Sequence, residues 1–312
     1  MLHLRLVVPP NTTGNVVDLL DRDAAATNII VLGGAARSPA GDVVLADVAR
    51  EGTNAVISQL RDLGVDKSGS IAVESVDIAV SQVARDAERA APGEGSDAVI
   101  WEEVASRTHD DATLSVTYLL FLTIATMIAA VGVLLDNPVL IVGSMVVGPE
   151  FGPLAGICLG LVQRRPRFAW RSALGIIVGF PIAIVATVVF AWVLDLWEII
   201  NREALEGDRP LTAFIYQPDA LSWVVAFLAG IAGMLSLTSA KSGALVGVLI
   251  SVTTVPAAAN VALALAFGDV AEARGSFVQL GINLASIVVA GCLTLLVQRY
   301  VWSRRELEAR RS

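Results

Sequence analysis

One carboxylate stands inside a long apolar run. Glu150 follows Gly148 and Pro149 in GSMVVGPEFGPLAGICLG (143–160), within a segment long enough to cross a bilayer. An ionisable group at membrane depth is costly and marks a functional site by default, the alternative being a protonated or capped structural carboxyl. Proline removes a backbone donor and clashes with the carbonyl four residues earlier. In hydrocarbon the freed carbonyls survive only when buried in protein or facing water. Pro149 therefore suits the first turn of a new half-helix, with Glu150 in the same turn, where the helix dipole favours a negative charge. A second segment repeats the pattern: SVTTVP at 251–256 matches SMVVGP at 144–149, 107 residues apart. Around the two prolines stand Ser144, Ser251, Thr253, Thr254, Asn260 and Asn283. Hydroxyls, amides and one acid suit recognition of a small polar solute rather than bond breaking. The expected substrate-binding set is these six with Gly148, Pro149, Glu150, Gly152 and Pro256. The same hydroxyls and amides are equally suited to interhelical hydrogen bonds, typically worth under about 1–2 kcal/mol each. Gly148, Gly152, Gly156 and Gly160 recur every four residues and predict a helix-packing stripe, because small residues let backbones approach closely.

Six apolar segments position these residues, at about 113–135, 138–163, 172–197, 221–238, 243–267 and 277–299. Most reach the roughly 20 residues needed to span hydrocarbon. With residues 1–112 in the cytoplasm, inner loops and tail hold ten Lys or Arg, including Arg164, Arg165, Arg167 and Arg171, against Arg202, Arg209 and Arg274 outside. That bias predicts an inner-membrane protein with both termini cytoplasmic. Shifting the first three segments by 107 residues overlays them on the last three. Two halves of three crossings run in opposite directions, the layout of a 3+3 inverted repeat with broken helices two and five.

Before residue 113 the chain changes character. Residues 1–112 hold 9 basic and 18 acidic residues, net −9, and the remainder 13 and 12, net +1. Such acidity argues against nucleic-acid binding. The rhythm of residues 1–85 is strand, helix, two strands, helix, strand, with a turn at Arg37–Gly41, a helix ending at Gly64 and a last strand in GSIAVESVDIAV. This βαββαβ order predicts an α+β ferredoxin-like domain, which either holds small ligands between paired copies, as ACT-like versions do, or serves as a helix-and-sheet scaffold that aids assembly. Residues 86–112 read as a polar connector with a short helix near Ile100–Ser106, and 300–312 as a basic cytosolic tail. No signal peptide is expected at the start of the sequence. Cys158 and Cys292 lie in apolar segments, so no disulfide framework is expected, and no Cys/His cluster or calcium-loop spacing points to a metal.

GSMVVGPEFGPLAG and ALVGVLISVTTVPAAANVAL together resemble the bacterial and archaeal hydrophobic membrane family known as domain of unknown function three-eight-nine. The resemblance extends to the N-terminal block through its EGTNAVISQLRDLGV helix. It implies a polytopic membrane fold with a soluble part, and no assigned activity or cofactor. Glu150 stands where many members carry leucine, and Ala257 replaces the second proline of the usual pair, so a chemistry resting on this acid does not carry over to the whole family.

The leading functional expectation is a secondary transporter or channel for a small polar metabolite, anionic ones included, with the soluble domain as gate or sensor. The alternative is a membrane-anchored sensor of a nucleotide-like or amino-acid metabolite, without transport. An enzyme is not expected: His3 and His109 lie outside the apolar segments, and no Ser/His/Asp, HExxH or P-loop pattern occurs. The expected partners are the lipid bilayer, a small-molecule ligand and further copies of the chain.

Overall fold

The computed structural model describes residues 1–76, 80–91, 99–200, 211–212, 215, 220–239 and 253–309, without the side chains of 107, 110, 220 and 302–309. Two compact units divide the chain, one built chiefly from residues 1–102 and the other from 103–237 and 241–300.

The first unit holds strands β1 (Leu2–Val8), β2 (Ala26–Arg37), β3 (Ala40–Val48) and β4 (Ser70–Ser75), with helices α1 (Thr13–Arg22), α2 (Arg50–Asp62), α3 (Val65–Ser68) and α4 (Gln82–Ala90). The strands form one antiparallel sheet in the order β2-β3-β1-β4. Alternation in LHLRLVV sends Leu2, Leu4, Leu6 and Val8 to one face, where they are buried. Val44, Ala46 and Val48 of β3 join them, covered by Val16 and Leu20 of α1 and Val56 and Leu60 of α2. Each fully buried Leu or Val contributes roughly 1.5–3 kcal/mol, so this layer is the main source of the unit's stability. Gly64 takes φ 75°, a left-handed conformation that ends α2. Two helices differ from the sequence expectation. α4 crosses the boundary expected at residue 85 between domain and connector, and Ser81 caps it by accepting from the Ala84 amide. The connector helix α5 runs from Trp101 to Asp111, longer than the short helix expected near 100–106.

A side chain pins the β2–β3 hairpin. Asp42 accepts from the Gly34 amide at 2.8 Å and the Thr13 hydroxyl at 2.7 Å, and these donors hold its carboxyl below the usual carboxylate range. An acid whose folded pKa is depressed stabilises the fold above its unfolded pKa, near 3.8, and loses that contribution as pH falls through the folded value. The exposed site makes the effect small. Asp42→Asn should lower Tm slightly at pH 7, and the difference from wild type should shrink as both are melted at pH values progressively below 3.8.

The second unit is helical: α5 leads to α6 (Val116–Leu134), α7 (Pro138–Val147), α8 (Phe151–Val162), α9 (Pro166–Leu196), α10 (Ala220–Thr238), α11 (Thr254–Phe267) and α12 (Val270–Ala309). Local sequence sets its ends. Ser115 caps α6 through the Tyr118 amide, and Asn137 caps α7 by accepting from Val139 and Leu140. Pro138 and Pro166 occupy first-turn positions, where the missing N–H is harmless. Asp136 fixes the α6–α7 turn by accepting from Thr212 Oγ1 at 2.8 Å and the Leu211 amide at 3.3 Å.

Among the described residues, four helices are long and apolar enough to cross a membrane, and α7 with α8 makes a fifth if the bent pair is one span. These helices have the length and composition of a multi-pass membrane protein. The sequence predicts six spans. The segment at 243–267 begins outside the described residues, and its described part, α11, is an apolar helix of 14 residues. At 1.5 Å per residue that is about 21 Å, short of a bilayer core.

Candidate functional site

The apolar run at 138–162 breaks where the proline and glycines predict. α7 ends at Val147, α8 begins at Phe151, and the two are bent by 52°. Glu150 is the N-cap residue of α8 rather than a member of its first turn, and Pro149 lies one position earlier. The break also splits the glycine stripe. Gly148 caps α7, while Gly152, Gly156 and Gly160 belong to α8. A Cβ on Gly152 would lie 2.7 Å from the Asp111 carbonyl oxygen, and one on Gly156 would collide with the Ser172 hydroxyl. One on Gly160 would lie 2.6 Å from the Ala169 backbone nitrogen. These three glycines let α8 approach the end of α5 and the start of α9.

Gly148 does something else. A Cβ there would strike Glu150 Oε2 and lie 2.8 Å from Val255 Cγ2. The missing side chain thus makes the space that the carboxyl occupies and admits the start of α11. Glu150 is only 4% exposed, and its Oε1 accepts from Thr254 Oγ1 at 2.6 Å. Thr254 is the first residue of α11, so the carboxyl sits at the N-terminal ends of two helices at once. Both dipoles favour negative charge there. Oε2 is buried and has no hydrogen-bond partner among the described residues. An orphaned buried acceptor costs about 1–3 kcal/mol and is uncommon in a native interior.

The network continues from the other side of α11. Asn283 of α12 donates to Thr253 Oγ1 at 2.8 Å and to the Thr253 carbonyl at 3.4 Å. Gln279 Nε2 reaches Asn283 Oδ1 at 3.5 Å, a weak contact, while Gln279 Oε1 is buried and unpartnered among the described residues. Asn260 donates to Ser276 Oγ at 2.8 Å and Glu272 Oε1 at 2.7 Å.

Of the expected set, then, Gly148, Glu150, Thr253, Thr254 and Asn283 lie in this junction. Pro256 is in the first turn of α11 and buried. Gly152 faces Asp111 instead. Asn260 binds α12 about 9 Å further along α11, at 1.5 Å per residue. Ser144 is buried and donates to the Ile141 carbonyl of its own helix at 2.6 Å. Ser251 lies outside the described residues.

Gln279, Ser276 and Glu272 are absent from the expected set. They carry a readable signal, because Glu272, Ser276, Gln279, Asn283 and Ser286 repeat at spacings of four, three, four and three, which is one face of a helix. Tyr118 is absent from it as well. Its side chain is buried, and its hydroxyl donates to the Gly175 carbonyl at 3.2 Å.

Residues 145–289, which span the break, the start of α11 and Asn283, match the family model described as domain of unknown function (DUF389). This is the family that the two motifs resemble. An uncharacterized protein of Methanocaldococcus jannaschii is 27% identical over 218 residues, covering 68% of this chain. The chain spans 64% of that relative's length. No solved structure matches.

Proposed function

We propose that the protein is a secondary transporter or channel that passes a small polar solute through the Glu150–Thr254 junction. The observation that carries this reading is the buried Glu150 carboxyl, half satisfied, at the meeting point of two helix N-termini. Non-helical backbone at membrane depth belongs where it lines a cavity or a path.

An inverted repeat is supported by more than the six-residue match. Under the 107-residue shift Gly148 corresponds to Val255, and these two positions are in contact. Equivalent residues meet each other at a pseudo-two-fold axis, so this contact is the one such an axis requires. Residues 116–134 shift to 223–241, near α10, and 166–196 to 273–303, within α12.

The site chemistry narrows the solute. Paired half-helix N-termini would welcome an anionic metabolite, but the chain's own carboxyl already stands there. With the carboxyl ionised, the two orphan groups, Glu150 Oε2 and Gln279 Oε1, are acceptors. They call for hydrogen-bond donors, so a neutral or cationic solute fits this junction better than an anion. No enzymatic step is proposed.

For the first unit, the strand order β2-β3-β1-β4 supports the ferredoxin-like assignment, and we place it in the cytoplasm with both termini. Ile30, Val31 and Leu32 expose apolar side chains along the edge strand β2, which favours pairing between copies. A sensing role without transport rests on that domain plan alone.

Proteoliposomes of the full chain, loaded against a panel of neutral, cationic and anionic solutes, test the transport reading. Uptake above empty liposomes is expected for at least one donor-bearing neutral or cationic solute. Uptake of none would overturn it, and ligand-dependent stabilisation without any flux would select the sensing role.

A further inference from the structure

A second site lies away from the Glu150 junction. The end of α5, the C-terminal end of α8 and the start of α9 enclose an open cavity of about 850 Å³. Its polar wall carries Arg165, Arg167, Arg171, His109 and Gln163, and no carboxylate lines it among the described residues. The described residues include no ion pair for any of the three arginines. Its apolar wall includes Leu159 and Phe168, and the Phe168 ring stacks on His109 with centroids 5.7 Å apart.

Three exposed guanidiniums around one cavity give it a positive potential that favours an anion between them. Arginine forks match the geometry of phosphate oxygens, and their charge is permanent. The space is far larger than an inorganic anion and suits a drug-sized or headgroup-sized ligand. The apolar wall beside the charges suits an organic ester rather than a bare ion. The turn between α8 and α9 is also where two apolar helices end, the level of lipid headgroups for membrane-spanning helices. Basic pockets between such helices hold anionic headgroups.

We propose that this cavity binds a phosphate ester, held by Arg165, Arg167 and Arg171 and walled by the His109–Phe168 stack. The phosphate comes either from an anionic lipid or from a soluble organic phosphate, and both would tie α5 to the start of α9. This inference stands independently of transport.

Thermal unfolding of the full chain in neutral detergent decides it. The probes are phosphatidylglycerol against phosphatidylcholine in mixed micelles, and glycerol 3-phosphate against chloride at matched ionic strength. A saturating ligand should raise Tm by roughly 5 °C, and Arg167→Gln/Arg171→Gln should remove most of that shift. A shift with phosphatidylglycerol alone assigns the site to a lipid headgroup, and a shift with glycerol 3-phosphate assigns it to a soluble ester. The Arg22→Gln variant, in the first unit, should keep the full shift. No shift with either probe, or an undiminished shift in the double variant, would overturn the proposal.

Discussion

Gly160→Leu is expected to collapse the packing of the helical unit, whereas Gly143→Leu is expected to leave it intact. A side chain at Gly160 would meet the Ala169 nitrogen at 2.6 Å and its Cα at 2.8 Å. Those are backbone atoms inside α9, and they cannot rotate aside. α8 would have to lift off α9 along its length, disturbing the buried Leu159 and Val162 beside it. Overpacking usually costs about 1–3 kcal/mol, and an obstruction made of backbone belongs at or beyond the upper end. At Gly143 nothing lies within 4 Å of the added Cβ. A helical glycine there costs roughly 0.5–1 kcal/mol relative to alanine, so a side chain is tolerated or mildly stabilising. Thermal unfolding of both variants in the same detergent checks the contrast: equal melting temperatures would show that the α8–α9 approach is looser than these distances imply.

Glu150→Gln is expected to spare the fold and, if the proposed transport runs through this junction, to cut flux. The amide oxygen of the introduced glutamine can still accept from Thr254 Oγ1, so the link between the break and α11 survives. The second carboxyl oxygen, however, becomes an NH₂ donor in a place now occupied by an unpartnered acceptor. A donor-bearing solute then meets a donor, and the favourable contact becomes an unfavourable one. Leaving a buried hydrogen-bonding group unsatisfied costs about 1–3 kcal/mol, and each 1.4 kcal/mol is a factor of ten in rate or affinity. Flux should therefore fall at least tenfold while Tm moves by only a few degrees. Thr254→Val should do the reverse in part: it strips Oε1 of its donor and weakens the junction itself.

Much of this arrangement was legible in the residues. The Gly148-Pro149 pair announced the break, because both residues oppose a continuing helix, and Glu150 was conspicuous as the acid in an apolar run. The spacing of 107 residues linked that break to Thr253 and Thr254, which the fold brings to the same junction. Alternation in LHLRLVV and in DVVLADV marked β1 and β3, since a period of two survives any tertiary context that buries one face.

What escaped has physical causes. Gln279 and Ser276 sit in a segment whose average hydropathy hides them, although their three-and-four spacing places them on one face of α12. The residue that caps α8 could be shifted by one position, because proline fixes its own φ without saying which side of it the helix starts. Even four-residue spacing of glycines suggested one continuous stripe, but Gly148 lies before the bend and serves the carboxyl instead. The length of α5 depends on packing against the glycine face of α8, a contact that no local pattern records.

The initial uptake rate of a transported solute, compared between wild type and Glu150→Gln at matched protein density in liposomes, tests the role of the junction most directly. A drop of tenfold or more in a variant that melts within a few degrees of wild type is the predicted result. A rate equal to wild type in a folded variant would contradict it and place the solute path away from Glu150.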